Sequence, residues 1–136
     1  MFKIKQPARL DQLRSLLEFV RDCSEKYGFP QDKSDEICLA AEELLVNIIT
    51  YAYPDQPGEI EVACDCREGR TLIIRIADWG AAFDPCTANP PALDGSLADR
   101  AQGGMGIFLA KNLMDEVKYR RRGRRNETTL IKNKTE

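Results

Sequence analysis

The sequence predicts an α/β (α+β) two-layer sandwich, in which helices cover one face of a mixed, mostly antiparallel sheet. Three observations predict it. Two long stretches repeat apolar residues at helical spacing, and two later stretches alternate at strand spacing around short turns. The chain, at 136 residues, is long enough for one core and too short for two ordinary domains. The whole of 1–136 is therefore expected to be a single domain.

Residues 2–6 read as a short edge strand ended by Pro7. Leu10, Leu13, Leu17 and Val20 then recur at intervals of three and four, which predicts a helix from 9 to 27 with Gly28 closing it. A second helix starts at Pro30 and runs to Ala52, with the core stripe Ile37, Ala41, Leu44, Ile48 and Ala52; Pro54 and Asp55 mark the exit. Ile60, Val62, Cys64 and Cys66 alternate with Glu59, Glu61, Ala63 and Asp65 as a half-buried strand. The turn Arg67-Glu-Gly-Arg70 leads into a return strand carrying Leu72, Ile74 and Ile76 on one face. Residues 79–105 show no periodicity and read as a long loop, a length usually reserved for function or disorder. Gly106 to Met114 form a helix, followed by strands at 116–121 and 127–132 around Gly123.

Composition narrows the function classes. Hydrophobic residues are 43% and charged residues 31%, a globular balance, and the net charge of −2 gives no overall field toward nucleic acid or membrane. The start lacks the apolar run of a secretory signal, and no stretch approaches the ~20 apolar residues of a membrane span. The expected location is the cytoplasm. Five cysteines without regular spacing argue against a disulfide framework. Cys64 and Cys66 lack the usual zinc spacing and the chain has no histidine, so both read as reduced core thiols.

Three features carry chemistry. In Ala41-Glu-Glu-Leu-Leu-Val-Asn-Ile-Ile-Thr50, Glu43 and Asn47 lie one turn apart, about 40° around the helix axis. Glu36 and Thr50 share that strip, and Glu42 points about 100° away. The amide oxygen suits Mg²⁺ and the carboxylate suits a proton leaving a nucleophile; a solvated polar stripe is the plainer alternative. In Ile74-Arg-Ile-Ala-Asp78-Trp-Gly80, alternation places Asp78 on the core face, where a carboxylate needs a donor such as an exocyclic purine amine. Gly80 gives a ligand access to the backbone. The alternative is an aspartate that ends the strand and caps the turn. In Gln102-Gly-Gly-Met-Gly-Ile-Phe108, glycines run into a helix start, where backbone N–H groups can bind phosphate; a linker ending at a helix is the alternative. Neither GxxxxGK[ST] nor a strand-fed GxGxxG is present.

In this order and combination the motifs resemble the GHKL ATPase superfamily, with its Bergerat ATP-binding fold. The stretch ending at Asn47 resembles the N box, Asp78-Trp-Gly-Ala-Ala-Phe-Asp-Pro85 the first glycine box, and Gly103-Gly-Met-Gly-Ile-Phe-Leu-Ala-Lys-Asn-Leu-Met-Asp-Glu-Val117 the second. Leu113-Met-Asp-Glu-Val117 and Phe83-Asp-Pro85 are similar to the bacterial anti-sigma-factor serine-protein kinases, and the resemblance runs from 8 to 132. It implies that Glu43 is the general base, that Asn47 holds Mg²⁺, that Asp78 reads adenine and that Gly80 shapes the base pocket. It further implies that Gly104, Met105 and Gly106 face the phosphates of ATP, beneath a lid at 84–105. The implied partners are an anti-anti-sigma (STAS-type) protein phosphorylated on serine or threonine, and a sigma factor. A homodimer with Arg14 as a candidate partner contact is also implied. Tyr51 stands where the family has a histidine, and Ala82 where many members have a second glycine. No phosphoacceptor histidine exists, which excludes a histidine kinase.

Two other readings compete. A non-catalytic, ATP-gated module could grip a sigma factor or another regulator, although binding alone needs no base at Glu43. The basic run Lys118-Tyr-Arg-Arg-Arg-Gly-Arg-Arg125 could touch nucleic acid, but a solvated turn or an acidic-protein docking patch fits the overall charge better.

Overall fold

A computed structural model describes residues 1–82 and 104–135. The chain forms β1 (Phe2–Pro7), a short 3₁₀ turn (Leu10–Gln12), α1 (Leu13–Lys26), α2 (Gln31–Tyr51), β2 (Glu59–Arg67) and β3 (Thr71–Asp78). Then come α3 (Gly104–Leu113), β4 (Glu116–Arg122) and β5 (Arg125–Asn133). The five strands make one sheet in the order β1-β2-β3-β5-β4. Every pairing among the described residues is antiparallel, where a mixed sheet was expected.

Local chemistry sets the boundaries. Gly28 at φ +81° ends α1, with Tyr27, Gly28 and Phe29 N–H groups donating to the carbonyls of Cys23, Glu25 and Ser24. Pro30 at φ −66° precedes α2, where its missing N–H costs nothing. Glu68 and Gly69, both at positive φ, form the tight turn that matches the twist between β2 and β3.

The core lies between the helices and one sheet face. Leu16 and Val20 of α1, Ile37, Ala41 and Leu45 of α2, and Ile60, Val62, Cys64, Leu72, Ile74, Ile76 and Leu130 of the sheet are all buried in it. The predicted stripe of the first helix needs correction. Leu10 sits in the 3₁₀ turn and is 68% exposed, while Leu16 takes the central core place. Ile48 and Ala52, the last members of the α2 stripe, are only half-buried because a cavity opens beside them. Cys64 is buried, Cys66 half-buried, and both are free thiols.

Among the described residues no helix covers the other sheet face, yet Ala63, Ile73 and Ala77 on it are buried. Trp79 lies there between Lys5 and Arg125, whose cations stand 4.9 and 5.3 Å from its ring.

Candidate functional site

A cavity of about 260 Å³ opens between the end of α2, the end of β3 and β5, lined by Leu44, Asn47, Ile48, Tyr51, Asp78 and Asn126 among others. That volume falls below the roughly 300–1,000 Å³ typical for drug-sized ligands, and suits one ring system rather than a whole nucleotide. Its walls are mainly aliphatic, with a few polar groups at fixed places.

Asp78 is one of these. It is the last residue of β3, on the same face as Ile74 and Ile76, and is 5% exposed. Its Oδ1 accepts from the Gly80 N–H at 2.9 Å and from Asn126 Nδ2 at 3.0 Å. Among the described residues these hydrogen bonds fall on one carboxylate oxygen only. Burial pushes the carboxyl above the usual aspartate range, while the Asn126 and Gly80 donors and the Arg121 charge pull the other way. The alternative of a simple turn cap is thus partly realised, since Asp78 does hold the Gly80 N–H, but it does so from inside the cavity.

Asn47 is the second. Its Oδ1 is closed off from solvent and has no hydrogen-bond partner among the described residues. A buried acceptor left without a donor costs about 1–3 kcal/mol, so this oxygen calls for a partner beyond the described residues. An amide oxygen is a suitable donor atom for a hard cation. Among the described residues no three His, Cys, Asp or Glu side chains gather as a metal site, so a cation held here would need ligands beyond carboxylates.

The other residues of the predicted strip part company. Glu43 lies one turn before Asn47, outside the cavity's wall among the described residues. Glu36 is drawn to β5, where its carboxylate meets Lys132 at 3.3 Å. Thr50 turns back to the Val46 carbonyl at 2.7 Å.

Gly80 has a packing reason in the structure. A Cβ there would stand 2.2 Å from the Ala52 carbonyl oxygen, and the adjacent Ala81 N–H donates to that oxygen at 3.1 Å. The glycine lets the chain press against the end of α2. Tyr53 secures the same corner, its hydroxyl accepting from the Trp79 N–H and donating to the Glu59 carbonyl, both at 2.7 Å.

Gly104, Met105 and Gly106 form the first turn of α3, two residues earlier than the spacing predicted. Lys132 ties the far end of that helix to α2, because it bonds the Leu113 carbonyl as well as Glu36. α3 packs along α2. Most of the span expected as a lid, 84–103, lies outside the described residues, as do Phe83, Pro85 and Cys86.

Sequence reasoning missed Asn126 and Thr128. Both are buried, both line the cavity, and they alternate with Leu130 along β5. That alternation was a readable signal, but the register opposite Asp78 was not. Tyr51, exposed by 41%, stands at the cavity's rim one turn beyond Asn47. The basic hairpin is largely spent internally. Arg120 and Arg125 pair with Glu127 at 3.1 Å, Arg121 bonds the Gly80 carbonyl at 3.2 Å, and Lys118 meets Glu116 at 3.5 Å. Arg14 is highly exposed on α1, beside Glu18. No helix among the described residues is long and apolar enough to cross a membrane.

Comparison with known proteins gives the family. Residues 6–132 match the profile of the histidine kinase-like ATPase domain. The chain is 38% identical over 95 residues to the serine/threonine-protein kinase BtrW of Bordetella bronchiseptica, covering 69% of this chain and 66% of that protein. It is 28% identical over 121 residues to the serine-protein kinase RsbW of Bacillus licheniformis, covering 85% and 75%. The fold is shared with the histidine kinase AdeS of Acinetobacter baumannii (TM-score 0.53, 11% identity, all of this chain and 70% of that one). The chain therefore belongs to the histidine kinase-like ATPase domain family, the kinase-type ATP-binding domain that its motifs resemble.

Proposed function

We propose that this chain is an ATP- and Mg²⁺-dependent serine/threonine protein kinase acting as an anti-sigma factor. It phosphorylates an anti-anti-sigma (STAS-type) protein and sequesters a sigma factor. One observation carries the nucleotide reading: the Asp78 carboxylate and the Asn47 oxygen, half-satisfied and without a partner respectively among the described residues, share one small apolar cavity. Asp78 accepts from the amine of adenine, aliphatic side chains enclose the ring, and Tyr51 flanks it. The backbone N–H groups of Gly104, Met105 and Gly106 hold phosphate oxygens at the helix start. Asn47 would hold Mg²⁺, whose charge would offset that of the phosphate groups during transfer.

In this reading Glu43, one turn before Asn47 and outside the cavity's lining, serves the protein substrate and not the purine. Its carboxylate takes the proton of the serine or threonine hydroxyl as that oxygen bonds to the γ-phosphorus. The bond from phosphorus to the bridging oxygen breaks and ADP leaves. Homodimerisation, with Arg14 as a contact, and a cytoplasmic location complete the proposal.

The test is phosphate transfer from labelled ATP to a STAS-type protein. Glu43→Ala is expected to cut transfer by about 10²–10⁴-fold, the usual share of a general base, with ATP affinity nearly unchanged. Transfer undiminished by the substitution overturns the role of Glu43. Binding of ATP without transfer by the native chain supports the non-catalytic, ATP-gated module instead.

A further inference from the structure

Asp78, Asn126 and Arg121 stand side by side in one row across β3, β5 and β4. The hydrogen bonds in that row run in one direction. Asn126 Nδ2 donates to Asp78 Oδ1 at 3.0 Å and to the carbonyls of Ala81 at 3.0 Å and Gly80 at 3.3 Å. Asn126 Oδ1 accepts from the Tyr119 hydroxyl at 2.5 Å and from Arg121 Nη1 at 2.9 Å. Arg121 also closes the row by donating to the Gly80 carbonyl at 3.2 Å. The amide orientation is forced: flipping it would set the NH₂ against a guanidinium and the oxygen against a carboxylate.

Asn126 lines the cavity, yet every polar atom it has is consumed by the protein. Two consequences follow. Its donors hold Asp78 Oδ1 and the Gly80–Ala81 backbone in place, and among the described residues nothing bonds the second carboxylate oxygen, which is left to meet a ligand. In addition, no amide donor from this side chain remains for a ligand's carbonyl. At Asp78 and Asn126 the cavity thereby presents a side-chain acceptor and no side-chain donor, matched to a ring bearing an exocyclic amine and mismatched to one bearing an oxo group.

We infer that Asn126 is a positioning residue that sets purine selectivity, by holding Asp78 as an acceptor while withholding its own donors from the ligand. The inference rests on the nucleotide reading above and goes beyond it in naming what fixes the selectivity. Arg121 and Tyr119 support Asn126 from the edge strand, so a part of the basic hairpin serves the site from behind.

The test compares ATP with ITP, which replaces the 6-amine by an oxo group, using calorimetry on the full chain from pH 5.5 to 8.5. The variants are Asn126→Leu, close in shape without polar atoms, and Asn126→Ser, which keeps one donor. The native chain is expected to favour ATP. Asn126→Leu is expected to lose about 10-fold or more of ATP affinity, the scale of a hydrogen bond to a charged group, and to bring the ATP-to-ITP ratio near one. Its binding should also fail at a higher pH than the native chain's, because Asp78 then keeps only Arg121 and the Gly80 N–H against protonation, with the Tyr53 phenol neutral throughout. Asn126→Ser should recover part of both. A purely structural role would lower the melting temperature of both variants and leave the ratio and the pH limit in place; that result overturns the inference. Should Asn126→Leu fail to fold, an unchanged ratio in Asn126→Ser counts against it and a reduced one supports it. Absence of ATP binding by the native chain would remove the nucleotide reading itself, a result distinct from unaltered selectivity.

Discussion

Asp78→Asn separates what the fold wants from what the ligand wants. Asp78 is 5% exposed, and burial holds its carboxyl above the aspartate range in spite of the Asn126, Gly80 and Arg121 contacts. A raised folded-state value means that the folded chain binds a proton more readily than the unfolded one. The favourable contribution is then full below the unfolded value of about 3.9 and disappears as pH rises through the folded value. Above that, the ionised carboxylate is a burden on stability. An asparagine amide oxygen can still accept from the Gly80 N–H and from Asn126, so the packing survives the change. The variant is expected to melt at or above the native temperature at pH 8, and the difference should shrink toward pH 4. Nucleotide binding should move in the opposite direction. A hydrogen bond to a charged group contributes about 1.5–3 kcal/mol, so ATP affinity should drop by about 10- to 150-fold. Thermal melts across pH and ATP calorimetry at pH 8 measure both. A variant that melts clearly lower at pH 8 and binds ATP as before would refute the reasoning on both counts.

Two further substitutions probe the frame around the cavity. Gly80→Ala puts a methyl 2.2 Å from the Ala52 carbonyl oxygen and 2.7 Å from Ala52 Cβ, atoms that cannot swing aside. Overpacking of this kind costs about 1–3 kcal/mol, and losing the Ala81–Ala52 hydrogen bond adds about 1, so a fall in melting temperature of roughly 10 °C is expected; an unchanged melt would show that the corner yields freely. Lys132→Met removes a 7% exposed cation from Glu36 and from the Leu113 carbonyl at the end of α3. Glu36 is partly exposed, so the cost should be about 1–3 kcal/mol in urea unfolding, with faster amide exchange in α3. Native-like exchange in that helix would show that Lys132 does not anchor it.

The elements themselves were legible because they arise from local periodicity. The apolar repeats of α1 and α2, the alternation of β2 and β3, Gly28 at a positive φ and the turn at Glu68 and Gly69 each answer to neighbours a few residues away. Leu10 was misplaced because a stripe does not reveal where a 3₁₀ turn precedes the helix. The sheet order β1-β2-β3-β5-β4 and its antiparallel sense depend on contacts between distant segments. So does the site. Asp78 could be placed on the core face from alternation alone, and Glu43 and Asn47 on one strip of a helix from its pitch.

What sequence by itself determined is the family, the helices and strands, and the residue types able to bind a metal, a purine amine and a phosphate. Tertiary structure decided which of them meet. It brought Asn47 and Asp78 to one cavity, drew Glu36 away to Lys132, and turned Gly80 toward Ala52. It also set Asn126 opposite Asp78, 48 residues apart along the chain. The physical reason is that helix pitch and strand alternation fix the direction of a side chain only relative to its own element. Which groups then face each other is set by strand register and helix packing, and these minimise the free energy of the whole core.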